Sequence, residues 1–438
     1  MSKKNISQTL APRNPKQNGT EHPVHINWFP YYAGYNSGFV HDVLKSLKIK
    51  PGDSILDPWN GSGTTTTTAY RMGAKAIGCD INPVMAVAAK SALLDPGTAP
   101  SLVPLADELL HVANNLKLTR SDDPLNTWYL PSSAYNLRRI HHAIWKVLVE
   151  NTSLPSFDPD TISGLSTIAA FYLTALFRTT RSFLSPFIGS NPTWIRSPHS
   201  IRNRIRPTQK ILFNRFRQEV EVMSYKLEDA FKNGLKEPVH SSNPLINVAS
   251  STSIPLNNCS IKAVIASPPY LTRIDYAVAT KPELATLGMS LSEEFKDLRK
   301  SMLGSPAVNL NEDNGSRFGD SCEEFIASVK AHPSKGSVSY YHKLFLQYFS
   351  DMKRSLTEIS RILEKKGTCV LVVQDSYYKE IHADLANYVS EIGTLSGLKL
   401  FNRHDFEWNR NMARVNSRSR KYRHSSPATE SVLWLTKN

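Results

Sequence analysis

Residues 54–65 read Ser54-Ile55-Leu56-Asp57-Pro58-Trp59-Asn60-Gly61-Ser62-Gly63-Thr64-Thr65. A short apolar run ends on a carboxylate and passes through a glycine-rich turn, so the pattern predicts a strand, a tight turn and a helix over 64–72. Gly61 and Gly63 carry no Cβ, which lets a backbone come close to a ligand. A second strand, expected over 74–79, ends at Asp80, 23 residues after Asp57. An acid in that place commonly holds ribose hydroxyls in nucleotide-binding α/β folds. The spacing D-P-x-x-G-S-G-T-T is not the dinucleotide-binding G-x-G-x-x-G, and no lysine follows as in a phosphate-binding loop.

Some two hundred residues on, 261–276 read IKAVIASPPYLTRIDY. The β-branched run predicts a buried strand that stops at Ser267-Pro268-Pro269-Tyr270. Two prolines fix their own φ and bias the preceding residues toward extended backbone, leaving a stiff turn whose carbonyls are free to accept. That suits one chemistry. An exocyclic amine of a nucleobase is a poor nucleophile because its lone pair is delocalised into the ring, and acceptors for its hydrogens help to localise that pair. Ser267 adds a hydroxyl, and Tyr270 a face on which an extruded base can stack.

Here the chain resembles the amino-methylating DNA methyltransferases, whose catalytic motif reads [DNS]-P-P-[YFW]. The form that begins with Ser is usual for N4-cytosine enzymes, and Asp or Asn for N6-adenine enzymes. The 57–65 string resembles the same family's S-adenosylmethionine motif, and Ile77-Gly78-Cys79-Asp80-Ile81-Asn82-Pro83 its following acidic motif. The resemblance implies a Rossmann-like α/β fold with a seven-stranded methyltransferase sheet, mostly parallel with the last strand antiparallel, here carrying a large helical insertion. It implies S-adenosylmethionine as cofactor, with Asp57 and Pro58 at the amino-acid end, Gly61, Gly63 and Thr64 lining it, Asp80 on the ribose and Asn82 on the adenine side. Tyr32 and Phe39 correspond to the aromatic turn and helix beside the methionine end, although the usual lysine-bearing form of that turn is absent. Ser251 stands where family members often place an Asp against the adenine amine.

The implied reaction is methyl transfer to the N4 amine of a cytosine flipped from duplex DNA. Tyr270 stacks on the base while the Pro268 carbonyl and Ser267 hydroxyl orient the amine. No Pro-Cys nucleophile of the C5-cytosine type is present. A restriction-modification role, with a cognate endonuclease acting on the same site, follows from the family. Two other reactions remain open: N6-adenine methylation on the same fold, and RNA guanine N2-methylation, for which no RNA-binding module is recognisable. A DNA-binding protein without activity would need the basic surface but not Asp57, Asp80 and an intact SPPY together.

The rest of the chain fits a polyanionic partner. Over 438 residues, 52 Lys and Arg against 38 Asp and Glu give a net charge of +14. The four cysteines form no CxxC pair, so neither a disulfide framework nor a zinc cluster is indicated and a reducing cytoplasm is expected, which the family resemblance implies is prokaryotic. Residues 1–21 have no apolar h-region and are expected to be a disordered arm. Residues 22–95 and 240–438 are expected to form the catalytic domain. Residues 96–239 read as an inserted helical region, too long for a crossover between strands, with helices over 132–149 and 161–179. It is the expected target-recognition region: Arg196, Arg202, Arg204 and Arg206 lie among aromatics that include Trp194 and Phe213. Arg273, just after the catalytic turn, and Arg414, Arg418 and Arg420, in the basic stretch 410–423, are further candidate phosphate contacts. The Gly-, Ser- and Asn-rich stretch 301–337 is expected to be a mobile loop. A helix over 339–364 stopped by Lys366-Gly367, a strand over 368–373, a helix over 383–395 and a closing strand over 431–435 complete the sheet. His141-His142 reads as a helix detail rather than a ligand pair.

Overall fold

The computed structural model describes residues 12–16, 28–29, 34–119, 122–149, 158–189, 195–235, 243–271, 274–308, 317–408 and 428–437. Nine strands follow one another among them: β1 Ser54–Asp57, β2 Lys75–Asp80, β3 Leu245–Val248, β4 Ile261–Ala266, β5 Leu363–Gln374, β6 Ser376–Tyr378, β7 Ile381–Ala383, β8 Leu398–Trp408 and β9 Ala428–Lys437. Seven form one sheet in the order β3-β2-β1-β4-β5-β9-β8, and β6 and β7 pair as a separate hairpin. Strands β1 to β5 run parallel, whereas β9 is antiparallel to both β5 and β8. The expected seven-stranded fold is therefore the one observed, with the last strand in sequence the reversed one.

Burial explains the composition of these strands. Helices cover both faces, so the parallel strands read as nearly continuous apolar runs. Alternate residues serve two cores. Ile55, Ala263, Ile265, Val370, Val372 and Trp434 face one cluster, and Leu56, Ile77, Val264, Cys369, Leu371 and Leu433 face the other. The first cluster takes in helix Pro83–Ser91 and the helices of the insertion, Ala99–Asn115, Pro131–Leu148, Thr167–Ser182 and Gln209–Lys232. The insertion thus shares its core with one face of the sheet. The second cluster is closed by helices Asp320–Ala331, His342–Ile362 and Leu385–Leu395.

Four expectations are corrected. Part of the arm expected to be disordered, residues 12–16, is tied down: Arg13 pairs with Asp42 at 2.7 Å, and the Asn36 N–H donates to Pro15 O at 2.9 Å. The stretch 301–337 is not loop throughout, because helix Asp320–Ala331 buries Cys322, Phe325, Ile326 and Val329. The single helix expected over 161–179 is two, broken after Gly164, with Ser166 Oγ capping the second by accepting from the Ala169 N–H at 3.2 Å. Lys366-Gly367 is not a helix stop. The helix ends at Ile362, and Lys366 (φ +64°) lies in an irregularity of β5, whose pairing with β4 steps from Ile261↔Leu363 to Ala263↔Thr368.

The basic stretch 410–423 lies outside the described residues. No described helix is long and apolar enough to cross a membrane.

Candidate active site

The chain passes from β1 outward to β2 and β3, then returns to place β4 on the other side of β1. Ligands of open α/β sheets bind at the carboxyl ends of the strands at such a switch point. Asp57 ends β1, Asp80 ends β2, Ser250 and Ser251 follow β3, and Ser267-Pro268-Pro269 follow β4. A cavity of about 320 Å³ opens there, walled by Pro58, Trp59, Asp80, Ile81, Asn82, Ser251, Ser267, Pro268 and Pro269. Its far wall comes from Tyr276, Thr280, Met302 and Leu303, and from Phe29, Arg181 and Ile188. A small recess beside it is lined by Tyr35, Asp57, Asn60, Thr64 and Ser267.

Asp57 is buried and Asp80 half-buried at the cavity wall, and neither has a cationic partner among the described residues. Burial pushes Asp57 up to about 7, against hydrogen bonds from Thr65, the Trp59 N–H and Tyr35. Burial likewise pushes Asp80 up to about 6, although the Gly61 and Asn82 N–H groups each donate to it at 2.8 Å. Two donors nearby are also buried without partners, Trp59 Nε1 and Asn60 Nδ2. Uncompensated carboxylates beside orphan donors fit a ligand that carries an ammonium, a carboxylate and ribose hydroxyls.

Ser267, Pro268 and Pro269 line the same cavity, and Tyr270 follows them on the turn. Ser267 Oγ donates its one proton to Val372 O at 3.0 Å, so only lone pairs remain to face the cavity. Pro269 O accepts from Tyr348 Oη at 2.8 Å, which fixes the turn from behind. Asp275 caps helix Tyr276–Ala279 and pairs with Arg299 at 2.6 Å. The Tyr270 ring is half-buried and does not line the cavity, and Lys16 Nζ lies 5.4 Å from its centroid.

The other candidates take the following places. Phe39 is wholly buried in helix Ser37–Ser46 against Tyr35, so it supports the wall and does not form it. Gly63 (φ +89°) lies where a Cβ would meet Ala89 Cβ at 2.9 Å, so its bareness serves the contact between helices Thr64–Arg71 and Pro83–Ser91. Asn82 caps the latter helix and donates to Thr280 Oγ1 at 2.9 Å. Ser251 is buried against Ser355 at 2.9 Å. Arg196, Arg202 and Arg206 are exposed and Arg204 half-exposed, with no acidic partner among the described residues, whereas Arg215 and Arg217 of the same run pair with Glu219 and with Asp107 and Glu221. Ile188, on the loop leading to those arginines, reaches the cavity lip. His141 is buried, accepts from Trp145 Nε1 at 2.8 Å and is held neutral by burial. Tyr32, Trp194, Arg273, Arg414, Arg418 and Arg420 lie outside the described residues. Tyr35, Trp59, Asn60 and Phe29 escaped the sequence reading because they occupy variable positions of the motif or an aromatic run with no period.

Residues 4–91 match the family model described as DNA methylase, of the N6/N4 methyltransferase type. The chain is also 24% identical over 378 residues to the Type II methyltransferase M.BsoBI of Geobacillus stearothermophilus, an alignment covering 81% of this chain and 69% of that protein. With the sheet order and the site at its switch point, these two likenesses support a DNA methyltransferase of the N6/N4 amino-methylating kind.

Proposed function

We propose that the protein methylates the exocyclic N4 of a cytosine flipped out of duplex DNA, using S-adenosylmethionine, as the modification half of a restriction-modification system. The observation that carries this reading is Ser267. Its proton is committed to Val372 O, so toward the cavity it is an acceptor, beside the Pro268 carbonyl on a turn that cannot flex. Two acceptors aimed at one amine hold both of its hydrogens and leave the nitrogen lone pair out of the ring plane. Preorganised groups of this kind need no rearrangement during the reaction.

Asp57 and Asp80 are the residues to hold the ammonium and ribose of the cofactor, with Trp59 Nε1 and Asn60 Nδ2 for its acceptors. S-adenosylmethionine, bound there, supplies an electrophilic methyl group. The protein's part is orientation and exclusion of water, and no covalent enzyme intermediate is required. The unpaired arginines at 196–206 are the DNA-binding candidates on the described surface, and the loop leading to them reaches the cavity lip through Ile188. The printed name of the relative, a Type II methyltransferase, favours the restriction-modification context.

The test is to incubate the protein and a Tyr270→Ala variant with varied duplex DNA and methyl-labelled cofactor, then identify the modified nucleoside by mass spectrometry. N4-methyldeoxycytidine from the wild type, with a strongly reduced yield from the variant, is expected. N6-methyldeoxyadenosine overturns the base assignment while leaving the site, and label in RNA alone overturns the substrate.

A further inference from the structure

We infer that Lys16 is a positioning residue for the reaction, holding the Tyr270 ring for the incoming base; this rests on the reading of Tyr270 as the base-stacking residue. Residues 12–16 are pinned to the catalytic half by three separate ties. Arg13 pairs with Asp42 at 2.7 Å, Asn36 Nδ2 donates to Pro15 O at 2.7 Å, and the Asn36 N–H donates to the same carbonyl at 2.9 Å. Those ties bring Lys16 to where β5 ends and β9 begins. Its ammonium lies 3.1 Å from Glu430 Oε1, also meets Gln374 Oε1, and stands 5.4 Å from the Tyr270 ring centroid.

Glu430 gives the arrangement its direction. It is 3% exposed and sits opposite Gln374 in the β5–β9 ladder, and a buried carboxylate without a cation is strongly disfavoured. The ammonium is therefore held at that depth and cannot drift along its flexible stem. From there it covers one face of an aromatic ring, where the ring quadrupole attracts a cation. The two prolines and the Tyr348 hydroxyl on Pro269 O act on the backbone of the turn and not on the half-buried Tyr270 ring itself. Lys16 supplies the missing constraint. A base that stacks on a ring already held loses less freedom than one that must order it.

The experiment compares wild type, Lys16→Met, which keeps the stem without the charge, and Lys16→Arg, which restores a cation. Methyl transfer to duplex DNA is measured alongside cofactor affinity, and Lys16→Met is repeated in a Tyr270→Leu background that has no ring. Lys16→Met is expected to lower kcat about tenfold with cofactor affinity unchanged, Lys16→Arg to regain most of it, and the Leu background to show no further loss. Should Lys16→Met fail to fold with Glu430 uncompensated, the pair Lys16→Met with Glu430→Gln removes the orphan charge and carries the same expectation. An unchanged kcat, a raised kcat as for a cation that merely blocks the ring, or an equal loss without the ring overturns the inference. Transfer by wild type with Lys16→Met unaltered sinks this inference alone, whereas no transfer by wild type sinks the proposed function with it.

Discussion

Asp57 and Asp80 are kept in the fold against their own preference for water. Their folded-state values, about 7 and about 6, lie above those of an unfolded carboxyl, and the cause in both is burial. A raised value means that the folded chain binds these protons more tightly, so both groups oppose folding at high pH and that opposition fades as pH falls through their folded values. A ligand bearing positive charge reverses the preference, since it needs both groups ionised. Cofactor affinity is therefore expected to fall as pH drops through about 7 and again through about 6. Calorimetric titrations from about pH 8 to about pH 5 check this, and the steps should disappear in Asp57→Asn and Asp80→Asn. Flat affinity across that range would remove these carboxylates from the cofactor site.

At the level of elements, Gly63 shows how a glycine in a binding turn can serve packing. Its φ of +89° and the 2.9 Å approach of Ala89 Cβ mean that Gly63→Ala strains the backbone and overfills the contact at once. A loss of about 2–4 kcal/mol is expected by urea denaturation, with Ala89→Gly relieving the packing part in the double variant. The strands at the site were legible because β1, β2 and β4 are local patterns: a buried apolar run, then a polar or proline-rich turn. What escaped depends on partners distant in sequence. The irregularity at 363–367 exists because β5 must pair with β4, and residues 12–16 are ordered by Asp42, Asn36 and Glu430 rather than by any pattern of their own. Helix Asp320–Ala331 did carry helical spacing at Cys322, Phe325, Ile326 and Val329, but the polar residues before it masked the signal.

The molecule as a whole joins two carboxylates at the strand ends, a proline-stiffened turn and an insertion whose core is continuous with the sheet. That continuity fixes the basic loop relative to the cavity, since helix Thr167–Ser182 packs in the same cluster as helix Pro83–Ser91. Replacing Arg202, Arg204 and Arg206 together by Ala should weaken binding to any duplex and flatten the dependence of log affinity on log salt by roughly 0.9 per lost phosphate contact. Cofactor affinity should not change, because none of the three lines the cavity. Fluorescence anisotropy at several salt concentrations reads both quantities. An unchanged salt slope would move the DNA surface elsewhere on the chain.

The central claim is that Ser267 acts as a fixed acceptor for a cytosine amine, and the single-turnover rate of methyl transfer by Ser267→Ala tests it most directly. The account predicts a rate lowered about 100-fold, as for loss of one preorganised polar group, with cofactor affinity within about twofold of wild type and N4-methyldeoxycytidine still the product. A rate equal to wild type, or a product methylated at another position, would contradict it.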